Sequence, residues 1–436
     1  MSQIAELIAR LKQSQYERVE VVVSDMGGVP RGKLLPLADF DGHSARLPLA
    51  IFHQTITGDY YEAPDNVDDR DMGLTVDPTT MRVVPWAKTK TACVIADCHE
   101  LTGEVVEANP RQVLKRVLER YADRGWHPVV APEVEFYLMG EKGAAAAAGP
   151  GTGPAPDPYG LDEVHELGHF FEQLNAQCDA QEIALGAVSQ ELGPGQFEVN
   201  FKHGNPVRLA DDLCSFKRTL KALAREHGMR ATFLSKLDAE IAGSSLHLHQ
   251  SVVDDDGGNV FSGADGEATE HFQHFVGGLQ HYLADALLLF APYANSYRRY
   301  LSYFSSPMNL EWGVDNRTAG LRVPRSDPAA RRVENRIAGS DVNPYLAIAG
   351  SLACGWLGIE RGINCRPAEQ GSAYKHPFAL RRHIYEAIDA LRASEELADL
   401  LGKSFVATYT GVKETECREF QEKVPEWERN DLIHSV

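Results

Sequence analysis

Apolar positions recur along this chain with two periods, one helical and one strand-like. Ile4, Leu7, Ile8 and Leu11 stand at helical spacing and predict a helix over residues 2–15, after which Arg18 to Ser24 (RVEVVVS) reads as a strand. Asn109-Pro110 opens a second amphipathic helix through Val113, Leu114, Val117, Leu118 and Tyr121. That helix leads into Ala131 to Leu138 (APEVEFYL), an apolar strand pattern interrupted by Glu133 and Glu135. Side chains two apart on a strand share a face, so the two glutamates project together, opposite Val134, Phe136 and Leu138. Carboxylates in a strand otherwise suited to burial need something to compensate their charge.

The same reading predicts helices near 162–180, 208–227, 268–290 and 342–359, strands near 183–191, 196–202 and 245–253, and a helical C-terminal region from 376. Up to about His99, the acidic run PDNVDDRD (Pro64 to Asp71), TVDPTT and VVPW read as loops and short strands. The composition then shifts, so a small α+β unit over residues 1–104 and a second domain over 105–436 are expected. Residues 140–158 (GEKGAAAAAGPGTGPAPDP) offer nothing to bury and read as a flexible surface insertion without a catalytic role.

Three segments repeat the oddity of the paired glutamates. ELGPGQFE carries Glu191 and Glu198 across a Gly-Pro-Gly turn, which an antiparallel pair of strands would bring together. SLHLHQS alternates so that His247 and His249 share a strand face, and RRVENR sets Glu334 among three arginines. Each alone is compatible with a structural or surface ion-pair role. Together, five glutamates and a histidine form a set of hard oxygens plus one imidazole, suited to Mg²⁺ or Mn²⁺ more than to Zn²⁺. Arg299, Arg317, Arg322, Arg332 and Arg336 add guanidinium forks that match phosphate and carboxylate. Neither a GxxxxGK[ST] loop nor a GxGxxG fingerprint after a strand is present, so any nucleotide would be held by metals, arginines and strand residues.

Charge and cysteine content exclude other classes. A formal net charge of −19 argues against nucleic acid, whose phosphates call for clustered cations. The seven cysteines show neither CxxC pairs nor tight disulfide spacing, no signal segment opens the chain, and no apolar run approaches membrane-spanning length. A reduced, cytoplasmic protein with no membrane or nucleic-acid partner is expected.

In order and interval, PEVEF, ELGPGQFE, AGSSLHLHQS, NRTAGLRVP and RRVENR resemble the glutamine synthetase superfamily, from RGK at Arg31 through NPYLAIAG at Asn343. The resemblance implies an α+β chain in which a small N-terminal β-grasp domain precedes a large α/β catalytic domain whose antiparallel strands form the active-site funnel. It implies stacked rings, a homododecamer with sites between subunits, and at least two Mg²⁺ or Mn²⁺ per site. Position by position, Glu135, Glu191 and Glu198 resemble ligands of one metal, and Glu133, His247 and Glu334 those of another. His249, Ser251, Arg322 and Arg332 match ATP-contacting positions, Arg317 the arginine on the transferring phosphate, and Arg299 and Arg336 the pair on the glutamate carboxylates; Gly243 and Tyr159 also match substrate-site positions.

The chain departs from ammonia-using members where the amine enters. An ungapped alignment from Arg299 to Arg317 puts Ser305 at the flap glutamate; a pocket asparagine of the family aligns with Ala242, and its N-terminal aspartate with Thr57 or Asp59. The segment bearing the adenylylated tyrosine of some bacterial members is replaced by GINCRPAEQGSAYKHP, so no adenylylation is expected. The resemblance is closest to γ-glutamylputrescine-type synthetases. It implies an ATP-dependent ligase joining the γ-carboxylate of L-glutamate to a primary amine or polyamine through a γ-glutamyl phosphate, with Ser305 leaving room for the alkyl chain and the acidic run at 65–71 attracting a second ammonium group. An ammonia-using glutamine synthetase and a non-catalytic ring-forming sensor are the alternatives.

Overall fold

The computed structural model describes residues 3–63, 69–140, 158–301, 306–433 and 436. Ser305, residues 141–157 of the insertion and residues 64–68 of the acidic run lie outside the described residues.

The N-terminal part runs α1 (Gln3–Gln13), β1 (Arg18–Ser24), β2 (Pro30–Pro36), β3 (Arg46–Pro48), β4 (Asp71–Val76), β5 (Arg82–Val83) and β6 (Thr91–Glu100). These strands form one sheet in the order β2-β1-β6-β4-β3, with β5 on β6; β1 and β6 run parallel and the other pairs antiparallel. The ten-residue β6, centred on Cys93, Val94, Ile95 and Ala96, is longer than the short strands expected there. It pairs with three neighbours and is buried on both faces along much of its length, so its pattern approaches a continuous apolar run rather than an alternation.

The larger part begins with α2 (Pro110–Ala122), which Asn109 caps through its side chain, then β7 (Trp126–Gly140), α3 (Asp162–Glu166), α4 (Gly168–Ala180), β8 (Leu185–Gln190) and β9 (Gln196–Phe201). There follow α5 (Pro206–Glu226), β10 (Met229–Thr232), β11 (Leu246–Asp254), α6 (Glu270–Tyr282), β12 (Trp312–Val314), β13 (Leu321–Val323) and β14 (Val333–Asn335). The chain closes with α7 (Pro344–Arg361), α8 (Ile384–Ala393), α9 (Glu395–Leu401), α10 (Lys403–Gln421) and α11 (Glu426–Leu432). The expected helix over 162–180 is two, broken at Leu167-Gly168, and the helix expected over 268–290 ends at Tyr282 before a short 3₁₀ turn. The C-terminal helices start at Ile384 rather than 376, beyond Pro377.

The second sheet runs β12-β13-β14-β11-β7-β9-β8, with β10 also on β7. One face of β7 is core: Val134, Phe136 and Leu138 are fully buried, and Phe136 packs on Phe197, Phe216 and Phe233 at 5.9–6.2 Å between ring centroids. α7 is buried from Pro344 to Ile359 and meets α6 where Gly278 faces Gly358. A Cβ on Gly278 would stand 2.2 Å from the Cys354 carbonyl oxygen, so only glycine allows this approach.

The two parts are joined by buried charge. Arg111 donates to Asp77 and Asp97 of the N-terminal part at 2.8 and 2.9 Å and to Asp211 on α5 at 3.1 Å. Asn343, which caps α7, donates to the Asp25 carbonyl at 2.9 Å.

Candidate active site on the large sheet

Register in the second sheet assembles the chemistry. Glu334 on β14 stands opposite His249 on β11, Glu133 on β7 opposite His247 on β11, and Glu135 on β7 opposite Glu198 on β9. Residues directly opposite in an antiparallel pair share a face, so three pairings place six side chains on the face opposite the Phe136 core. Glu191 follows β8 and joins them because its N–H donates to the Gln196 carbonyl at 2.8 Å across the Gly193–Gly195 turn.

The six expected ligands form one connected group. Ligand atoms of Glu135, Glu191 and Glu198 lie within 4.8 Å of one another, as do those of Glu133, Glu198 and His247. His247 Nδ1 is 3.5 Å from Glu133, 4.0 Å from Glu198 and 3.9 Å from Glu334, so Glu198 and His247 bridge the two expected sets.

The electrostatics divide the group. Burial raises Glu135 well above the ordinary carboxylate range, and Glu191 and Glu198 add to the rise. Burial, with Glu133 and Glu191, pushes Glu198 up to about 8, and Glu191 is raised chiefly by burial. Three buried carboxylates that resist ionising together form an oxygen donor set that fits a hard divalent metal. At Glu133, burial is outweighed by hydrogen bonding to His247 and His249, so it stays below the usual carboxylate range. At Glu334, burial is outweighed by Arg336, His247, His249 and Arg322, which hold it at about 2. Burial and Arg336 lower His247 to about 4, keeping it the neutral imidazole a metal ligand must be.

His249 Nε2 lies 3.1 Å from Glu133, and a third group, Glu133, His249 and Glu334, meets the same 4.8 Å limit. Arg332 Nε donates to His249 Nδ1 at 3.3 Å, which puts the proton of the neutral ring on Nε2 and leaves that nitrogen a donor, not a ligand. Ser251 continues the same face of β11, half-buried.

The arginines separate by environment. Arg322 donates to Glu334 at 2.6 Å, and Arg336 holds the other Glu334 oxygen while its buried Nε has no hydrogen-bond partner among the described residues. Arg317 is exposed between β12 and β13, near enough to lower Glu191. Arg299 departs from expectation. It is 1% exposed, and its nitrogens donate to Ser245 Oγ and to the carbonyls of Ile337 and Arg336 at 2.8–3.3 Å. Such a guanidinium braces the strand behind Arg336 instead of presenting a fork to a substrate. Gly243 is tied to it, since a Cβ there would lie 2.8 Å from Arg299 Cγ.

Around the rim, Tyr159 is 64% exposed at a positive φ of 65°, its N–H donating to the Gln190 carbonyl at 3.0 Å, one residue before Glu191. The structure does not bring Thr57 and Asp59 to this group: both are exposed in the N-terminal part, Thr57 donating to Glu419 on α10 and Asp59 accepting from the Tyr60 N–H at 2.9 Å.

Sequence reasoning passed over Gln196, which donates to Glu135 at 3.2 Å and to the Gly243 carbonyl at 3.0 Å and accepts from the Gly193 N–H at 2.8 Å. The signal was its place inside ELGPGQFE, between two candidate ligands. Glu163, buried and accepting from the Gly195 N–H at 3.2 Å, pins the same turn and carried no motif.

Comparison with known proteins gives this geometry its family. The glutamine synthetase catalytic domain matches residues 107–432. The chain is similar to a glutamate–isopropylamine ligase of Pseudomonas sp, 34% identical over 98% of this chain and 97% of the relative. It is also similar to the γ-glutamylputrescine synthetase PuuA of Escherichia coli (strain K12), 30% identical over 98% and 93%. Among solved structures, the GmaS/ADP complex superposes with a TM-score of 0.88 at 27% identity, covering 98% of this chain and 99% of that one. A carboxylate–histidine group spread over adjacent antiparallel strands, inside a match that takes in most of the chain, means that this protein belongs to the glutamine synthetase family.

Proposed function

We propose that the protein is an ATP-dependent ligase that joins the γ-carboxylate of L-glutamate to a primary amine or polyamine. The observation that carries this reading is the unbroken carboxylate–histidine group on β14, β11, β7 and β9, with arginines on its flank. A relative that had lost catalysis would have no reason to keep three mutually repelling carboxylates buried together. The amine, rather than ammonia, follows from the absence of a flap glutamate in YFSSP and from likeness to relatives named for isopropylamine and putrescine.

Glu135, Glu191 and Glu198 would hold one Mg²⁺ or Mn²⁺ and Glu133, His247 and Glu334 another. When bound, the cations neutralise phosphate charge during transfer. The chain's own residues do the rest. Arg317, exposed and without a hydrogen-bond or ion-pair partner among the described residues, meets the transferring phosphate; His249, Ser251, Arg322 and Arg332 line the path of ATP. Arg336 takes a glutamate carboxylate, its Nε being left without a partner among the described residues, and Arg299 and Gly243 fix its position from behind. Tyr159 stands at the amine entrance. The γ-carboxylate attacks the γ-phosphorus of ATP and ADP leaves; the free-base amine then attacks the acyl carbon, inorganic phosphate leaves, and the nitrogen gives up one proton, without a protein nucleophile.

Residues 1–104 are read as a β-grasp unit and 105–436 as the catalytic domain. Stacked rings, a dodecamer with sites between subunits, are supported by Trp427, Leu432 and Ile433, which stand exposed on and just after α11. A cytoplasmic setting fits seven free cysteines and the absence, among the described residues, of any helix long and apolar enough to cross a membrane.

The deciding experiment is a coupled ATPase assay with L-glutamate and ammonium, ethanolamine, monoamines, putrescine or spermidine in turn. An amine should give the highest kcat/KM. Ammonium turning over as efficiently as every amine would make the protein a glutamine synthetase; no turnover with any of them would make it a scaffold or sensor.

A further inference from the structure

A cavity of about 760 Å³ lies where the N-terminal sheet meets the catalytic part, and no residue of the carboxylate–histidine group lines it. Small-molecule sites favour such seams, and their usual volume is about 300–1,000 Å³. Gly28, Ile56 and Trp86 form its N-terminal wall, α5 and Phe233 the facing wall, and Phe420 and Lys423 its C-terminal rim.

The wall on α5 is basic. Lys217, Lys221 and Arg225 follow at four-residue steps, one stripe of a helix, and Arg218 adjoins them. Two of these are engaged: Arg218 pairs with Glu20 at 2.8 Å and lies over the Trp86 ring, and Lys217 donates to the carbonyls of Ser340 and Val342. Lys221, Arg225 and Lys423, all exposed at the cavity edge, have no carboxylate within ion-pair distance among the described residues.

The nearby acids are engaged through at least one oxygen each, although Asp341 Oδ1 and Glu419 Oε1 are buried without a hydrogen-bond partner among the described residues. Glu416 pairs with Lys413 and accepts from the Ile56 N–H, both at 2.8 Å, Glu419 accepts from Thr57, and Asp341 from Ser296 at 2.8 Å. In a chain of net charge −19, Lys221, Arg225 and Lys423 line one cavity with Trp86, Phe233 and Phe420. Lys217 and Lys221 lie 5.1 and 5.6 Å from the Phe233 centroid and Arg218 lies over Trp86, so the Phe420 ring is the aromatic surface no cation covers among the described residues. Like charges one helical turn apart repel, and an anion between them removes that repulsion.

We propose that this cavity binds a small organic anion, a carboxylate or phosphate carried on a ring-bearing apolar body. The anionic group meets Lys221 and Arg225, and the ring packs on the aromatic wall. Because its lining comes from both parts of the chain, a bound molecule touches the N-terminal sheet and the catalytic part at once.

Calorimetric titration of the full chain with phenyl phosphate, phenylacetate, inorganic phosphate and benzyl alcohol tests this, with saturating ADP present throughout to occupy the nucleotide site. One or both aromatic anions should bind once per chain, at least about tenfold more tightly than the ring-less phosphate or the uncharged alcohol. Which of the two binds tells phosphate from carboxylate. The double variant Lys221→Glu/Arg225→Glu, at exposed helix positions outside the proposed catalytic group, should weaken that binding by about tenfold or more. Binding unchanged in the variant, or none by either aromatic anion at about 10 mM, overturns the proposal.

Discussion

Arg322 and Glu334 stand opposite one another on β13 and β14, with the guanidinium Nη1 2.6 Å from the carboxylate that Arg336 grips from its other side. Glu334 is 1% exposed, so this carboxylate neutralises two cations away from bulk water. Its removal therefore does more than delete a candidate ligand. Glu334→Ala should cost roughly 3–5 kcal/mol of stability, because it strands buried positive charge, and should also abolish ligase turnover. Paired thermal melts and activity assays check this; an alanine variant as stable as wild type would show that the arginines find other partners.

Glu198 predicts the opposite sign. Its carboxyl is held at about 8 in the folded chain against an ordinary 4.5, so the folded state keeps a proton that the unfolded chain has lost. That contribution is full below about 4.5 and is lost as pH rises through about 8. His247, lowered from 6.5 to about 4, acts the other way but only below 6.5. From pH 6.5 to 8 the thermal midpoint of metal-free protein should thus fall, and the fall should be smaller in Glu198→Gln and removed by Mg²⁺. A midpoint independent of pH in metal-free wild type contradicts the repulsion.

Strand chemistry was legible because its period is short. ExE and HxH each announced a shared face, and the structure puts both pairs on the face predicted. What the pattern could not supply was register, which decides that Glu133 meets His247 and Glu135 meets Glu198. The surroundings of Arg299 were not legible for a related reason: an arginine near a candidate site reads as substrate-facing, and only the positions of Ser245 and Ile337 show what its nitrogens engage. The length of β6 was missed because a strand buried on both faces loses its alternation.

Arg299→Ala should behave as a core lesion. It leaves Ser245 Oγ and the Arg336 carbonyl without their donor, at a cost of about 2–4 kcal/mol, so the melting point should drop along with activity. A stable variant with only a raised KM for glutamate would return Arg299 to a substrate-binding role.

Arg317→Ala should leave the melting point in place, since the side chain is exposed, while lowering kcat about 10²- to 10³-fold. Steady-state kinetics with saturating glutamate and amine provide the check. Unchanged kcat would remove Arg317 from the phosphoryl step.

Ser305→Glu should move kcat/KM toward ammonium and away from alkylamines, by adding a proton acceptor and filling alkyl space. Rates with ammonium and putrescine, measured side by side, decide it; an unchanged ratio would make Ser305 irrelevant to the choice of nucleophile.

The strand order has a consequence during synthesis. Glu133 and Glu334 flank β11 in the sheet and belong to one group of side chains, but stand about 200 residues apart in the chain. At a ribosomal rate of about 5–20 residues per second, the first carboxylates wait roughly 10–40 s for the last. Through that interval β7 can pair with β9 and bring Glu135 beside Glu198 with the flanking arginines still unmade. The nascent chain therefore carries a growing knot of negative charge, so free magnesium during translation should raise the yield of folded protein well before there is any substrate to act on.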